Sequence, residues 1–212
     1  MKIIRYLDSD GTSHHGIQHD TGATRLDGCP MGDHQDSGEP ADLHKLLAPV
    51  QPMDILCIGL NYRRHAEEGG ADIPEHPILF MKTSSSVQNP ADPIILPRHL
   101  KSDAVDFECE LAVVIGSECK NVSPDKALEH VLGYTCGNDV SARDWQRGDG
   151  QWWRAKSSDT FSPAGPFLVT GLDPNNLRLK ARVNGTEVQS ESTQLFLFNL
   201  QTVISHVTKA MT

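Results

Sequence analysis

No stretch of this 212-residue chain approaches the roughly 18 consecutive apolar residues of a membrane span. Met1 to Asp10 holds one apolar cluster followed by charge, without the apolar core and small-residue cleavage site of a secretory leader. Cysteine is sparse: Cys29, Cys57, Cys109, Cys119 and Cys136 are odd in number, scattered, and include no Cys-x-x-Cys spacing. This argues against a disulfide or zinc framework and for reduced, mostly buried thiols in a cytoplasmic protein. An excess of positive charge is also lacking. A formal net charge of -9 and a pI near 5.5 repel phosphate backbones, so no nucleic-acid partner is expected. Hydrophobicity and charge balance both stay clear of the disordered range. The length allows one sizeable domain and a small appendage.

What is present reads as an α+β, strand-dominated chain. Residues 2–7 and 17–24 pattern as strands, and the turn-rich run 27–40 (DGCPMGDHQDSGEP) as a loop. Residues 1–50 are taken as a small N-terminal domain or arm. From Met53 the texture changes. Residues 54–59, 77–82, 107–115, 131–139, 167–170 and 177–183 pattern as strands. Residues 61–68 form a short helix stopped by Gly69-Gly70, and Ser123-Pro124 opens another running to about His130. Residues 141–146 are expected as a short helix and 197–211 as an amphipathic one. Asn184-Gly185 marks a hairpin, because both residues tolerate positive φ. Runs of strands with few helices fit α+β better than a βαβ repeat.

The chemistry concentrates in carboxylates. In Phe107-Glu108-Cys109-Glu110-Leu111 a period of two puts Glu108 and Glu110 on one face of a strand. Two such charges about 4 Å apart repel by ~4 kcal/mol at an effective dielectric near 20. Either that face is solvated or a cation sits there. Asp139 ends the next apolar strand and adds a third carboxylate, although an acid before a helix start is common in itself. Three oxygen donors suit a hard cation such as Mg²⁺, Mn²⁺ or Ca²⁺ better than zinc. His65 and Glu68, three apart, share one helical face. A carboxylate beside an imidazole raises its basicity, as a general base requires, while an exposed polar face would look the same. Arg143 and Gln146 lie one turn apart, and Lys156 follows in Arg154-Ala155-Lys156-Ser157-Ser158. Surface positions are the default for all three. Trp145, Trp152 and Trp153 bracket Gly148-Asp149-Gly150 and either pack in a core or interface or wall a pocket.

Four segments together resemble the fumarylacetoacetate hydrolase family: CIGLNYRRHAEE at 57–68, DFECELAVVIG at 106–116, GYTCGNDVSARDWQ at 133–146 and KSSDTFSPAGPFLV at 156–169. They stand in family order with family-like separations. The resemblance implies a mixed β-sandwich roll with a small N-terminal domain, residues 51–212 forming the catalytic part, and a homodimer. It implies Mg²⁺ or Mn²⁺ on Glu108, Glu110 and Asp139, substrate near Arg143 and Gln146, and Lys156 against the reacting oxo-acid. His65 and Glu68 match a water-activating pair on a mobile lid. Family members continue past the position of Thr212 with several strands and a Thr-Gly-Thr-Pro-like turn, so the C-terminal part is expected to be missing.

The reaction this implies is hydrolysis of a carbon–carbon bond in a small anionic 1,3-dicarbonyl (2,4-dioxo) acid, with the metal stabilising the departing enolate. Oxo-acid decarboxylases, isomerases and lyases of the same family share that enolate chemistry. A non-catalytic, metal-stabilised binding protein is the reading from another class.

Overall fold

The computed structural model describes residues 1–212, the side chain of Leu100 excepted. Its strands are β1 (Lys2–Leu7), β2 (Ser13–His19), β3 (Gly22–Gly28), β4 (His34–Pro40), β5 (Lys45–Leu47), β6 (Ile55–Gly59), β7 (Ile78–Lys82), β8 (Val87–Gln88), β9 (Val105–Asp106), β10 (Cys109–Ile115), β11 (Val131–Asn138), β12 (Ser141–Ala142), β13 (Ser162–Val169), β14 (Arg178–Val183) and β15 (Thr186–Ser192). The α-helices are α1 (Arg63–Glu68), α2 (Arg143–Gly148), α3 (Trp153–Lys156) and α4 (Leu200–Ala210). The chain is strand-dominated α+β. It divides into two compact units. The first comprises Met1–Ile55, Lys82–Val114 and Gly133–Leu172, and the second Leu56–Met81, Ile115–Leu132 and Asp173–Thr212. Among the described residues no helix is long and apolar enough to cross a membrane.

The first unit is built around a sheet of order β10-β11-β13-β1-β2-β3-β4, with β5 also pairing β1 and β8 pairing β13. Strand β1 carries the centre. Ile3 pairs with Leu168 of β13 on one side and Ile17 of β2 on the other, so three branched side chains share one rung. Ile3, Ile4, Tyr6 and Leu168 are fully buried. At ~1.5–3 kcal/mol for each large apolar side chain, this rung holds β1 and β2 to β13, the neighbour of β11. A second cluster, Val140, Ala142, Trp145, Ala155 and Phe161 with Val105 against it, fixes α2 and α3 on the chain after β11.

Several expectations need correction. The strand expected over 17–24 is broken by a turn at Asp20-Thr21, which closes the β2–β3 hairpin at the His19–Gly22 pair. The expected loop 27–40 contains β4. Pairing with β3 supplies the structure there, and an exposed strand needs no apolar alternation. Gly28, at φ +93°, makes that turn possible: a Cβ would lie 2.2 Å from the Asp33 carbonyl oxygen. The helix expected over 123–130 is a 3₁₀ turn, Ala127–His130, preceded by single i→i−3 bonds from Lys126 N to Ser123 O and from Ala127 N to Pro124 O. Cys29 and Cys136 are exposed and no cysteine is fully buried, contrary to the expectation for the thiols. Trp145 is core, whereas Trp153 is 59% exposed.

In the second unit, Asn184 (φ 51°) and Gly185 (φ 83°) turn β14 into β15, closing the hairpin expected at these residues. Helix α4 begins at Asn199, whose Oδ1 accepts from Thr202 N at 2.9 Å, and it buries Leu200, Ile204 and Thr208 on one face. Helix α1 is pinned at its start. Asn61 Nδ2 donates to Phe198 O, Phe198 N donates to Asn61 Oδ1, and Leu197 N donates to Asn61 O, at 2.9–3.0 Å.

Candidate active site

The acids of the first unit are brought together by a break in a strand. Strand β9 ends at Asp106, paired opposite Ser141, and β10 resumes at Cys109. Phe107 and Glu108 lie between them, so the alternation expected across 107–115 starts later than it reads. Asp106 Oδ1 accepts from Phe107 N at 3.0 Å and holds this break. Two further bonds fasten it to the end of β11: Glu108 N donates to Asn138 Oδ1 at 3.1 Å, and Asp139 N donates to Glu108 O at 2.9 Å. Glu108 and Asp139, 31 positions apart in sequence, thus become neighbours through their backbones.

Two lysines fill the space between the carboxylates. Lys156, at the end of α3 and almost fully buried, donates to Glu108 Oε2 at 2.7 Å, Asp139 Oδ2 at 2.6 Å and Ser141 Oγ at 2.8 Å. These are three acceptors for the three protons of an ammonium. Lys82, at the end of β7 and equally buried, donates to Asp139 Oδ1 at 2.6 Å and to Phe161 O at 2.7 Å. Arg143 opens α2. Its Nη2 donates to Glu108 Oε1 at 2.8 Å, its Nε to Asp106 Oδ2 at 3.0 Å, and its Nη1 to Gln146 Oε1 at 3.0 Å. Lys156 is therefore buried, contrary to the surface default, and Arg143 and Gln146 are half-buried and held by hydrogen bonds.

The electrostatics separate the two glutamates. Burial works to raise Glu108, but Lys156 and Arg143 outweigh it and bring its carboxyl down to about 2. Glu110 goes the other way, up to about 8. Burial is the main cause, and the charges of Glu108 and Asp139 add to it. No donor reaches the Glu110 carboxylate among the described residues. Burial disfavours the Lys156 charge, but Asp139 and Glu108 overcome that and raise its pKa.

The fit of a divalent cation can be judged on these groups. Glu108, Glu110 and Asp139 are near enough to perturb one another, yet among the described residues no three His, Cys, Asp or Glu side chains form a ready ligand cage. The ammonium of Lys156 bridges two of the carboxylates instead. The donor chemistry still suits a hard cation. Glu110, with no donor and two anionic neighbours, is the group whose ionised form such a charge would favour.

His65 and Glu68 belong to the second unit. Both are exposed on α1, and no hydrogen bond joins them among the described residues. Three site residues were not singled out from sequence. Lys82 ends an otherwise apolar strand, a signal that was there to read. Asp106 continues the alternation of Glu108 and Glu110 backwards by two. Ser141, fully buried, carried no such signal.

The first unit is β-rich and gathers Glu108, Asp139, Lys82, Lys156 and Arg143 into one hydrogen-bonded cluster. Residues 54–212 match the family described as fumarylacetoacetate (FAA) hydrolase, C-terminal, and residues 1–49 match the Rv2993c-like N-terminal family. The chain belongs to the fumarylacetoacetate hydrolase family. It is 47% identical over 186 residues to fumarylacetoacetate hydrolase domain-containing protein 2 homolog of Dictyostelium discoideum, covering 82% of this chain and 60% of that protein. It is 45% identical over 173 residues to oxaloacetate tautomerase fahd2, mitochondrial, of Xenopus laevis, covering 79% of this chain and 54% of that one. The crystal structure of 5-carboxymethyl-2-hydroxymuconate delta-isomerase from Mycobacterium smegmatis superposes with a TM-score of 0.89 at 38% identity, covering all of this chain and 83% of that one. The chain thus spans about 60% or less of the length of these two curated relatives.

Proposed function

We propose that this chain forms the active site of an enzyme that stabilises the enolate of a small 2-oxo carboxylic acid and moves a proton on it, as a tautomerase or isomerase. The observation that carries this reading is the buried Lys156 ammonium, held among Glu108, Asp139 and Ser141 beside the Arg143–Gln146 pair. An enolate oxygen that gains charge in a site of low dielectric is stabilised by a donor already held beside it. Lys156 is the donor for that oxygen, and Arg143 with Gln146 binds the substrate carboxylate. The relatives described as an oxaloacetate tautomerase and a delta-isomerase support proton movement over bond cleavage.

Glu108, Glu110 and Asp139 are the residues that would hold Mg²⁺ or Mn²⁺, which when bound supplies a Lewis acid for the same enolate. Lys156 would then yield at least one of its present acceptors, because all three of its protons are committed here. The second reading is hydrolysis of a carbon–carbon bond in a 2,4-dioxo acid. The His65-x-x-Glu68 spacing favours it by offering a base for water. A homodimer remains part of the proposal on family grounds.

The test is a panel of oxaloacetate and acylpyruvates assayed with saturating Mg²⁺. Faster keto–enol exchange of oxaloacetate supports the first reading, and cleavage of an acylpyruvate supports the second. Thermal stabilisation by these compounds without turnover of any would favour a binding protein and contradict both.

A further inference from the structure

Arg143 has five N–H donors in a fixed fork, and most are already committed within the chain. Nε donates to Asp106 Oδ2 at 3.0 Å, and Nη2 lies 3.0 Å from that same oxygen. Nη2 also reaches Glu108 Oε1 at 2.8 Å, and Nη1 reaches Gln146 Oε1 at 3.0 Å. One Nη1 proton is left over. The bond to Gln146 has a second consequence. By engaging the amide oxygen, Arg143 decides which way that amide faces, so the amide nitrogen is turned away from the guanidinium. Among the described residues Gln146 Nε2 meets no acceptor. The uncommitted donors of this corner are therefore one Arg143 N–H and the adjacent Gln146 NH₂, a set suited to the oxygens of a carboxylate.

Glu108 alone cannot fix this arrangement. It touches the guanidinium through Nη2 only, and a single contact leaves the plane free to turn about it. Asp106 supplies the second anchor on the Nε edge. Its own position is set from the other side, because Oδ1 accepts from Phe107 N at 3.0 Å and the residue pairs with Ser141 across β9 and β12. We propose that Asp106 is a positioning residue: it fixes the guanidinium plane of Arg143 and, through Arg143, the facing of the Gln146 amide, so that this corner offers donors only to a substrate carboxylate. This rests on the reading of Arg143 and Gln146 as the pair that binds substrate.

Asp106 is accessible enough for a clean test, since its side chain is 46% exposed and lies outside the apolar clusters. Asp106→Asn keeps an oxygen for Phe107 N but removes the carboxylate from Arg143. The side-chain Nε–H signal of Arg143 should be slowly exchanging in ¹⁵N-edited NMR of the wild type, and it should broaden or vanish in Asp106→Asn and return in Asp106→Glu. Oxalate, a small dicarboxylate, is the binding probe, titrated calorimetrically at fixed Mg²⁺. Asp106→Asn should weaken oxalate about tenfold in the wild-type background but no more than about twofold when Gln146 is already alanine, because coupled residues are non-additive. With oxaloacetate, KM should rise while kcat stays within about threefold, the mark of lost uniform binding. An unchanged Arg143 signal overturns the proposal whatever the activity. Equal loss of oxalate affinity in both backgrounds overturns the relay through Gln146. A wild type that turns over no oxo-acid and binds no oxalate overturns the functional reading and the carboxylate role assigned to Asp106, even if the NMR still shows the anchor.

Discussion

The Lys156 ammonium donates to the Asp139 carboxylate at 2.6 Å, and both side chains are buried. The other Asp139 oxygen receives Lys82 at 2.6 Å, and Lys156 also serves Glu108. Removing one partner of such a set strands the others in low dielectric. Lys156→Met should therefore cost ~3–5 kcal/mol in urea unfolding of the metal-free protein. A loss below about 1 kcal/mol would place the pair in the weak class of exposed ion pairs and contradict its burial.

Glu110 sets a pH dependence of defined sign. Its folded-state pKa is raised to about 8, by burial first and then by Glu108 and Asp139. Between the ordinary carboxylate value and about 8 the folded chain holds a proton that the unfolded chain has released. Stability must then fall as pH rises through that window. Glu108 has the opposite sign. Its pKa is lowered to about 2, so its contribution is full above the ordinary value and is lost as pH falls toward 2. Urea midpoints of the metal-free protein, measured from pH 5 to 9, should decline in the wild type and flatten in Glu110→Gln. Parallel curves would show that Glu110 is ionised throughout.

His65 separates the two candidate reactions. If it activates water, His65→Ala should lower acylpyruvate cleavage by ~10²–10⁴ and leave oxaloacetate tautomerisation within about threefold. Mg²⁺ affinity should not move. Equal loss of both activities and of metal affinity would mean that His65 holds the site together instead of acting on water.

Phe161 links the core to the site. Its ring is fully buried with Val140, Trp145 and Ala155, and its carbonyl oxygen accepts from Lys82. Phe161→Ala should cost ~3–5 kcal/mol by cavity formation. Trp153→Ala, at an exposed position, should stay within about 0.5 kcal/mol. Similar losses for the two would show that the packing of α2 and α3 is misassigned.

The strands that could be read ahead were those whose side-chain pattern does the folding. Residues 2–7 read as a strand because an apolar run, with Ile3, Ile4 and Tyr6 buried, lies along β1, and Asn184-Gly185 announces its own backbone. Strand β4 could not be seen, because His34–Pro40 is polar and glycine-bearing and owes its extended form to backbone pairing with β3. The acids of the site were legible as a costly repeat, Glu108 and Glu110, followed by Asp139. What neutralises them was legible only in part. Lys156 entered through family likeness, whereas Lys82 comes from 57 residues before Asp139 and meets it only through the tertiary fold. The break at Phe107-Glu108 was hidden as well, since an apolar–acidic alternation reads alike whether the strand is continuous or interrupted.

The buried lysine–carboxylate site is proposed to act on the enolate of a 2-oxo acid. The most direct measurement is the rate of keto–enol exchange of oxaloacetate, followed by the enol absorbance, with saturating Mg²⁺ and with Lys156→Met as the paired variant shown folded by circular dichroism. The expected result is a wild-type rate well above buffer and a loss of ~10²–10³ in the variant, the usual effect of removing one donor to a developing oxyanion. A wild-type rate equal to buffer, or a folded Lys156→Met as fast as the wild type, would contradict it.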